Sequence, residues 1–302
     1  MGDELFIDAA INGVVRKDDN PNVPRSADEI VDDAVACFDA GAAVVHPHEP
    51  DGATSNVDVD AYAEIFARVL AEVPGALLYP TVGGKGTWDE RWGHVVALAE
   101  RGLTQIGPID AGSTNLGVRL PDGRPAPSES VYDNSYAYIA HLIDLCWEHQ
   151  LAPTFAIFEP TFLHTVVAYW EAGQMPPGAW LKFYMAGHGG YPGTGRNGMK
   201  PARFGLPPTE KALDAYLEIL GECPIPWGVS AMGSDLFVCG IAELAVSRGG
   251  HLHVGLESYN GDRMPTNVEL VEEAVALGRR HGRAPVPTSH ALAWLGLRSV
   301  AS

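Results

Sequence analysis

Positive charge is what this chain has least of: 20 Lys and Arg stand against 38 Asp and Glu, a formal charge of -18 over 302 residues. A surface that acidic repels phosphate backbones and anionic lipid, so nucleic-acid and membrane partners are not expected. Long apolar runs are also missing. None approaches the roughly 18–20 residues of a membrane span, and Met1-Gly2-Asp3-Glu4 does not read as a signal peptide. Cysteines number only four (Cys37, Cys146, Cys223, Cys239), without CxxC spacing. Most lie in apolar or helical stretches and read as reduced, packed thiols, which points to a cytoplasmic protein. What is present is 46% hydrophobic and 19% charged residues, the composition of a globular chain that can bury a large core.

The hydrophobic period switches between two and 3.6 along the whole length. Strand patterns cover residues 5–11, 43–48, 76–81, 103–106, 153–158, 180–185, 227–230 and 251–257. A helical pattern follows each, over 30–38, 60–71, 88–101, 132–149, 161–172, 209–220, 236–247 and 266–282. The first and last of these helices open on capping boxes, Ser26-Ala27-Asp28-Glu29 and Thr266-Asn267-Val268-Glu269. A short terminal helix is expected over 289–297. Alternating units imply a parallel sheet, and eight of them without a linker fit one closed (β/α)8 TIM barrel spanning 1–302. A doubly wound open sheet is the competing architecture.

Catalytic groups of such barrels sit at the C-terminal ends of strands. The second strand pattern ends in His46-Pro47-His48, and side chains two apart on a strand share a face, so both imidazoles reach one point. The eighth ends in Gly255-Leu256-Glu257. Two imidazoles and a carboxylate with open positions are the ligand set of a catalytic zinc or a related divalent metal. Zn2+ is the expected occupant, since nothing indicates redox chemistry.

These residues carry a resemblance. The chain resembles the β-keto acid cleavage enzyme family, of which 3-keto-5-aminohexanoate cleavage is the best-known activity. The similarity includes Ala9-Ala10-Ile11-Asn12-Gly13, Pro21-Asn22-Val23-Pro24, 37–42, His46-Pro47-His48, Thr81-Val82-Gly83-Gly84, 112–117, Gly249-Gly250-His251, Gly255-Leu256-Glu257 and 267–271. It implies a (β/α)8 barrel, zinc held by His46, His48 and Glu257, a homo-oligomer (a tetramer in the family), and a reaction in which a β-keto acid and acetyl-CoA exchange fragments. A Lewis acid on the keto and carboxylate oxygens would stabilise the alkoxide formed when a carbon nucleophile attacks the ketone, and later the expelled enolate.

The chain also departs from the family. Ser258 follows Glu257 where an acid–base Asp is usual, and His253 stands where an Arg is usual, four residues before the Glu. Ala156 takes an acid position on the fifth strand, leaving Glu159 as the nearby carboxylate and candidate general base. Val14 and Val15 occupy the first loop, where the amino-substrate enzyme has an acid. His253 is a candidate for proton transfer or a buried hydrogen-bonded histidine. Thr81, in the place of a usual Ser, is a candidate to bond a carboxylate or oxyanion, or else caps a turn. Asp110, Asn115, His188 and Ser258 are candidate substrate contacts, and Asp8, an acid in an apolar strand, a candidate partner of a metal ligand. Arg196, Lys200 and Arg203 form the clearest basic cluster, fit for the phosphates of coenzyme A or else a solvated loop. The competing functional readings are a metal-dependent hydrolase of a lactone, amide or β-diketone on the same barrel, and a non-catalytic metabolite-binding barrel.

Overall fold

The computed structural model describes residues 4–50, 57–129, 131–191 and 200–297. Within them β1 (Ile7–Ala10), α1 (Ala27–Ala40), β2 (Val44–His46), α2 (Val59–Glu72), β3 (Leu77–Leu78), α3 (Trp88–Glu100) and β4 (Ile106–Asp110) follow in turn. Then come β5 (Val118–Arg119), α4 (Tyr136–Glu148), β6 (Ala152–Ile157), α5 (Pro160–Glu171), β7 (Trp180–Ala186) and β8 (Lys200–Pro201). The chain finishes with α6 (Glu210–Leu220), β9 (Trp227–Met232), α7 (Ile241–Ser247), β10 (His251–Val254), α8 (Asn267–Arg280) and α9 (Ala291–Trp294).

Eight strands form one parallel sheet in the order β3-β2-β1-β10-β9-β7-β6-β4. The two end strands are bridged by Thr104, whose hydroxyl donates to the Leu78 carbonyl at 2.7 Å. The sheet is a (β/α)8 barrel ringed by helices, as the alternating periods require. Both expected capping boxes form, at Ser26/Glu29 and Thr266/Glu269, and a third forms at Thr87/Glu90. The extra strands β5 and β8 pair antiparallel, so the segments after β4 and β7 make a small arm.

Several boundaries differ from the sequence pattern, each for a local reason. The fourth barrel strand starts at Ile106, because Gly102 (φ +70°) turns the chain and Thr104 caps it, its hydroxyl accepting from the Ile106 amide at 3.2 Å. That shift puts Asp110 on the strand end. Ser135 caps α4 by accepting from the Tyr138 amide at 3.2 Å, while Tyr132 pairs through its backbone with Thr114. Asp235 holds a turn through the amides of Phe237 and Val238, and Gly240 (φ +81°) starts α7 only afterwards. At the N-terminal end of the barrel Phe6, Trp180 and His251 pack together, and Trp294 of α9 stacks on Phe6 at 4.5 Å. That end is packed with rings.

Candidate active site

The backbone first brings the HxH segment and the GLE segment against β1. Asn12, just past β1, is fully buried; its side-chain oxygen accepts from the His48 amide at 2.7 Å and its nitrogen donates to the His48 carbonyl at 3.0 Å. Asn267, the first residue of α8, accepts from the Leu256 amide at 2.8 Å and donates to the Ile11 carbonyl at 2.8 Å. Gly255 (φ +124°) lets the chain leave β10 so closely that a Cβ there would lie 2.1 Å from the Ala10 carbonyl oxygen. Two buried amide side chains and one glycine thus fix where His48 and Glu257 project.

His46, His48 and Glu257 converge as expected. One ligand atom from each lies within 4.8 Å of the others, and all three residues are buried. Glu257 sits 3.4 Å from His46 Nε2 through one oxygen and 3.5 Å from His48 Nε2 through the other. The His46 Nδ1–H donates to the Tyr79 carbonyl at 2.9 Å, which leaves the Nε2 lone pair facing Glu257. Burial pushes the His46 imidazole down to about 4, against the pull of Glu257, so it is neutral at pH 7. Burial alone would raise Glu257, but His48 and His46 hold it well below the ordinary carboxylate range. Both ring nitrogens of His48 and Oε2 of Glu257 lack a hydrogen-bond partner although buried. Buried imidazole nitrogens and a carboxylate oxygen without partners are what a divalent cation satisfies. The donor set fits the metal.

His46 and Glu257 open onto a cavity of about 460 Å³ at the C-terminal ends of the strands, lined also by Val14, Tyr79, Thr81, Asp110, Thr154, Lys182, Tyr184 and Tyr191. Of the sequence candidates, Thr81 and Asp110 line it. The Tyr132 hydroxyl donates to Asp110, whose carboxyl burial pushes up while that bond opposes the shift. His253 stands behind the wall, its Nδ1–H donating to Asp8 at 2.8 Å. The Ser258 hydroxyl is buried and turns to the Gly255 carbonyl at 3.4 Å. Glu159 accepts from the Thr114 hydroxyl and the Gly205 amide, each at 2.9 Å, and so ties the two arm segments to α5. Asn115 and His188 are exposed and outside the lining, with Arg203 donating to His188 Nδ1 at 2.7 Å. Lys200 lies exposed on β8, and Arg196 falls outside the described residues.

Sequence reasoning missed Lys182, which is 3% exposed inside the barrel. Its ammonium donates to the Tyr79 hydroxyl at 2.9 Å and lies 4.7 Å from the centre of that ring. Burial lowers its pKa, while Asp8, Asp110 and Glu257 oppose the shift. The signal was available: a lysine inside the apolar run 180–185 is as conspicuous as Asp8 in 5–11. The inward tyrosines Tyr79 and Tyr184 had no such mark, since aromatic residues are ordinary in strands.

A nearly closed barrel with a candidate three-ligand metal site at the C-terminal mouth of its cavity has the layout of a barrel enzyme. The model of the family described as beta-keto acid cleavage enzyme matches residues 4–297, and the chain belongs to that family. It is 27% identical over 305 residues to the 3-keto-5-aminohexanoate cleavage enzyme of Acetoanaerobium sticklandii, covering 98% of this chain and 99% of that one. It is 26% identical over 308 residues to the 3-oxoadipate:acetyl-CoA acetyltransferase of Cupriavidus necator, covering 99% and 97%. Among solved structures, ObcA with oxaloacetate superposes with a TM-score of 0.63 at 13% identity, over 92% of this chain and 68% of that one. That last likeness supports the barrel fold alone.

Proposed function

We propose that the protein is a zinc-dependent acyltransferase that cleaves a C–C bond of a β-keto acid, with acetyl-CoA as co-substrate. The single observation that carries this is the convergence of His46, His48 and Glu257, with unpartnered buried atoms on His48 and Glu257, beside the cavity of a chain belonging to the β-keto acid cleavage family. The relatives' names, a keto-acid cleavage enzyme and an acetyl-CoA acetyltransferase, supply the co-substrate. When bound, the metal would polarise the keto and carboxylate oxygens.

The remaining tasks fall to the chain's own residues. Lys182 is the buried cation of the cavity and supplies the positive charge that the sequence lacks at position 253. Thr81 at the cavity wall is our candidate to donate to a substrate oxygen, and Asp110, its acidity suppressed by burial, our candidate to orient the substrate from β4. Lys200 and Arg203, with Arg196, are the candidates to contact the coenzyme A phosphates, because an anionic cofactor approaching so acidic a chain needs local positive charge. Val14 lines the cavity and offers no counter-charge to an amine, so neutral β-keto acids are the preferred substrates.

Assay of the metal-loaded protein on a panel of β-keto acids, with and without acetyl-CoA, tests the reading. Thioester-dependent turnover is expected, with a higher kcat/KM for neutral keto acids than for amino-bearing ones. Turnover independent of the thioester would replace the transferase by the metal hydrolase. A preference for amino-bearing substrates would contradict the role given to Val14.

A further inference from the structure

The chain has a serine, not a carboxylate, after Glu257, so the acid–base group must come from elsewhere. Ser258 is turned away from the cavity and Glu159 is engaged by the arm. His253 does not line the cavity, so it has no direct access to substrate. Between His253 and the cavity stands the phenol of Tyr184 on β7. Its hydroxyl faces His253 Nε2 at 3.4 Å, its ring shares the lining with Glu257, and Phe158 packs edge-on to it at 5.0 Å. Behind His253 lies Asp8, fully buried, accepting from Nδ1 at 2.8 Å and from the Tyr79 hydroxyl at 2.6 Å.

We propose that Tyr184 is the acid–base residue of the site, and that His253 and Asp8 form the relay that takes and returns its proton. The tautomer follows from the contacts. Asp8 accepts, so the His253 proton sits on Nδ1 and the Nε2 lone pair faces the phenol. A hydroxyl, an imidazole and a buried carboxylate in that order are the arrangement by which a weak nucleophile or base is activated and an imidazolium stabilised. The 3.4 Å separation is long for a bond between oxygen and nitrogen, as is usual before substrate tightens a site. Lys182 bonds the Tyr79 hydroxyl and not Tyr184, and that hydroxyl donates to the same Asp8, so Lys182 and Tyr184 converge on one carboxylate and the substitutions below tell them apart.

The step rests on the keto-acid reading above, and it balances. The acidic hydrogen of a β-keto acid is on C2, between the ketone and the carboxylate. That C–H bond breaks, its proton goes to Tyr184 Oη, and the phenol's own proton goes to His253 Nε2. The electron pair left on C2 forms the new bond to the thioester carbonyl carbon, and the coenzyme A thiolate leaves. The thiolate then attacks the ketone carbon, C2–C3 breaks, and the relay returns its proton to C2. His253 and Asp8 act through Tyr184 and are positioning residues.

The test is deuterium exchange at C2 of a neutral β-keto acid in D2O, followed by NMR with the metal-loaded protein and compared with the uncatalysed rate. Wild type should exchange without thioester. Tyr184→Phe keeps the ring and its packing, and should lose exchange by about 10²-fold or more, with metal content and keto-acid KM nearly unchanged. Asp8→Asn should lose exchange similarly, because an amide at that place no longer holds the proton on Nδ1 against an ionised partner. Wild-type exchange in Tyr184→Phe would overturn the proposal, as would absence of exchange in a wild type that turns over with acetyl-CoA. Loss of exchange in Asp110→Asn with Tyr184→Phe unaffected would move the base to Asp110. Absence of thioester-dependent turnover in wild type would instead remove the transferase reading, and the relay with it.

Discussion

At the residue scale the convergence of His46, His48 and Glu257 depends on how small their neighbours are. Gly13, just past β1, takes φ +51°, and a Cβ added there would lie 2.4 Å from the Cγ of Glu257. The contact is with a side chain that can rotate, so Gly13→Ala should fold, at a cost of about 1 kcal/mol for the left-handed backbone. Its effect should fall on the ligand: Glu257 must swing away from His46 and His48. We expect metal affinity to fall by about 10- to 100-fold, the range for displaced supports of a ligand set, while circular dichroism stays that of the wild type. A titration showing wild-type affinity would mean that Glu257 does not need its present rotamer. Asn12 and Tyr79 act in the same neighbourhood by fixing the His48 backbone and the His46 ring. Neither role is visible in a linear pattern, because each bond joins residues 33 or 36 positions apart.

At the scale of elements, the alternating periods were enough to read eight strand–helix units and hence the barrel. The order of His46, His48 and Glu257 at two strand ends was enough to read that these three side chains converge. Boundaries were less legible where side chains compete with the helix or strand period. Thr104 delays β4, Ser135 delays α4 and Asp235 delays α7, and in each case a short polar side chain takes up backbone groups that the period assigns to a regular element. The arm β5–β8 was not foreseen, since two-residue strands carry no periodic signal. It decides the position of Glu159, whose bonds to Thr114 and Gly205 face the arm and not the cavity. Lys182 and Tyr184 lie on one face of β7, so once Lys182 is recognised as an inward charge, Tyr184 follows from the strand period.

At the scale of the whole molecule, no helix among the described residues is long and apolar enough to cross a membrane. The ring-packed end of the barrel makes stability depend on pH. His251 accepts the Phe6 amide at 3.0 Å, and burial, with Arg283 beside it, pushes its imidazole down to about 3 from 6.5. The folded value lies below the unfolded one, so this stability is present above pH 6.5 and is lost as pH falls below it. The loss amounts to about 2 kcal/mol by roughly pH 5 at about 1.4 kcal/mol per unit. Urea midpoints of wild type should fall over that interval, and those of His251→Asn should fall less; equal slopes would contradict the assignment. The central claim is that the barrel gathers His46, His48 and Glu257 around a catalytic cation. Elemental analysis of purified wild type and His46→Ala, with turnover measured on the same samples, tests it most directly. The account predicts about one divalent ion per chain in wild type, little or none in the variant, and activity that follows metal content. Equal metal in both proteins, or full activity without it, would contradict the account.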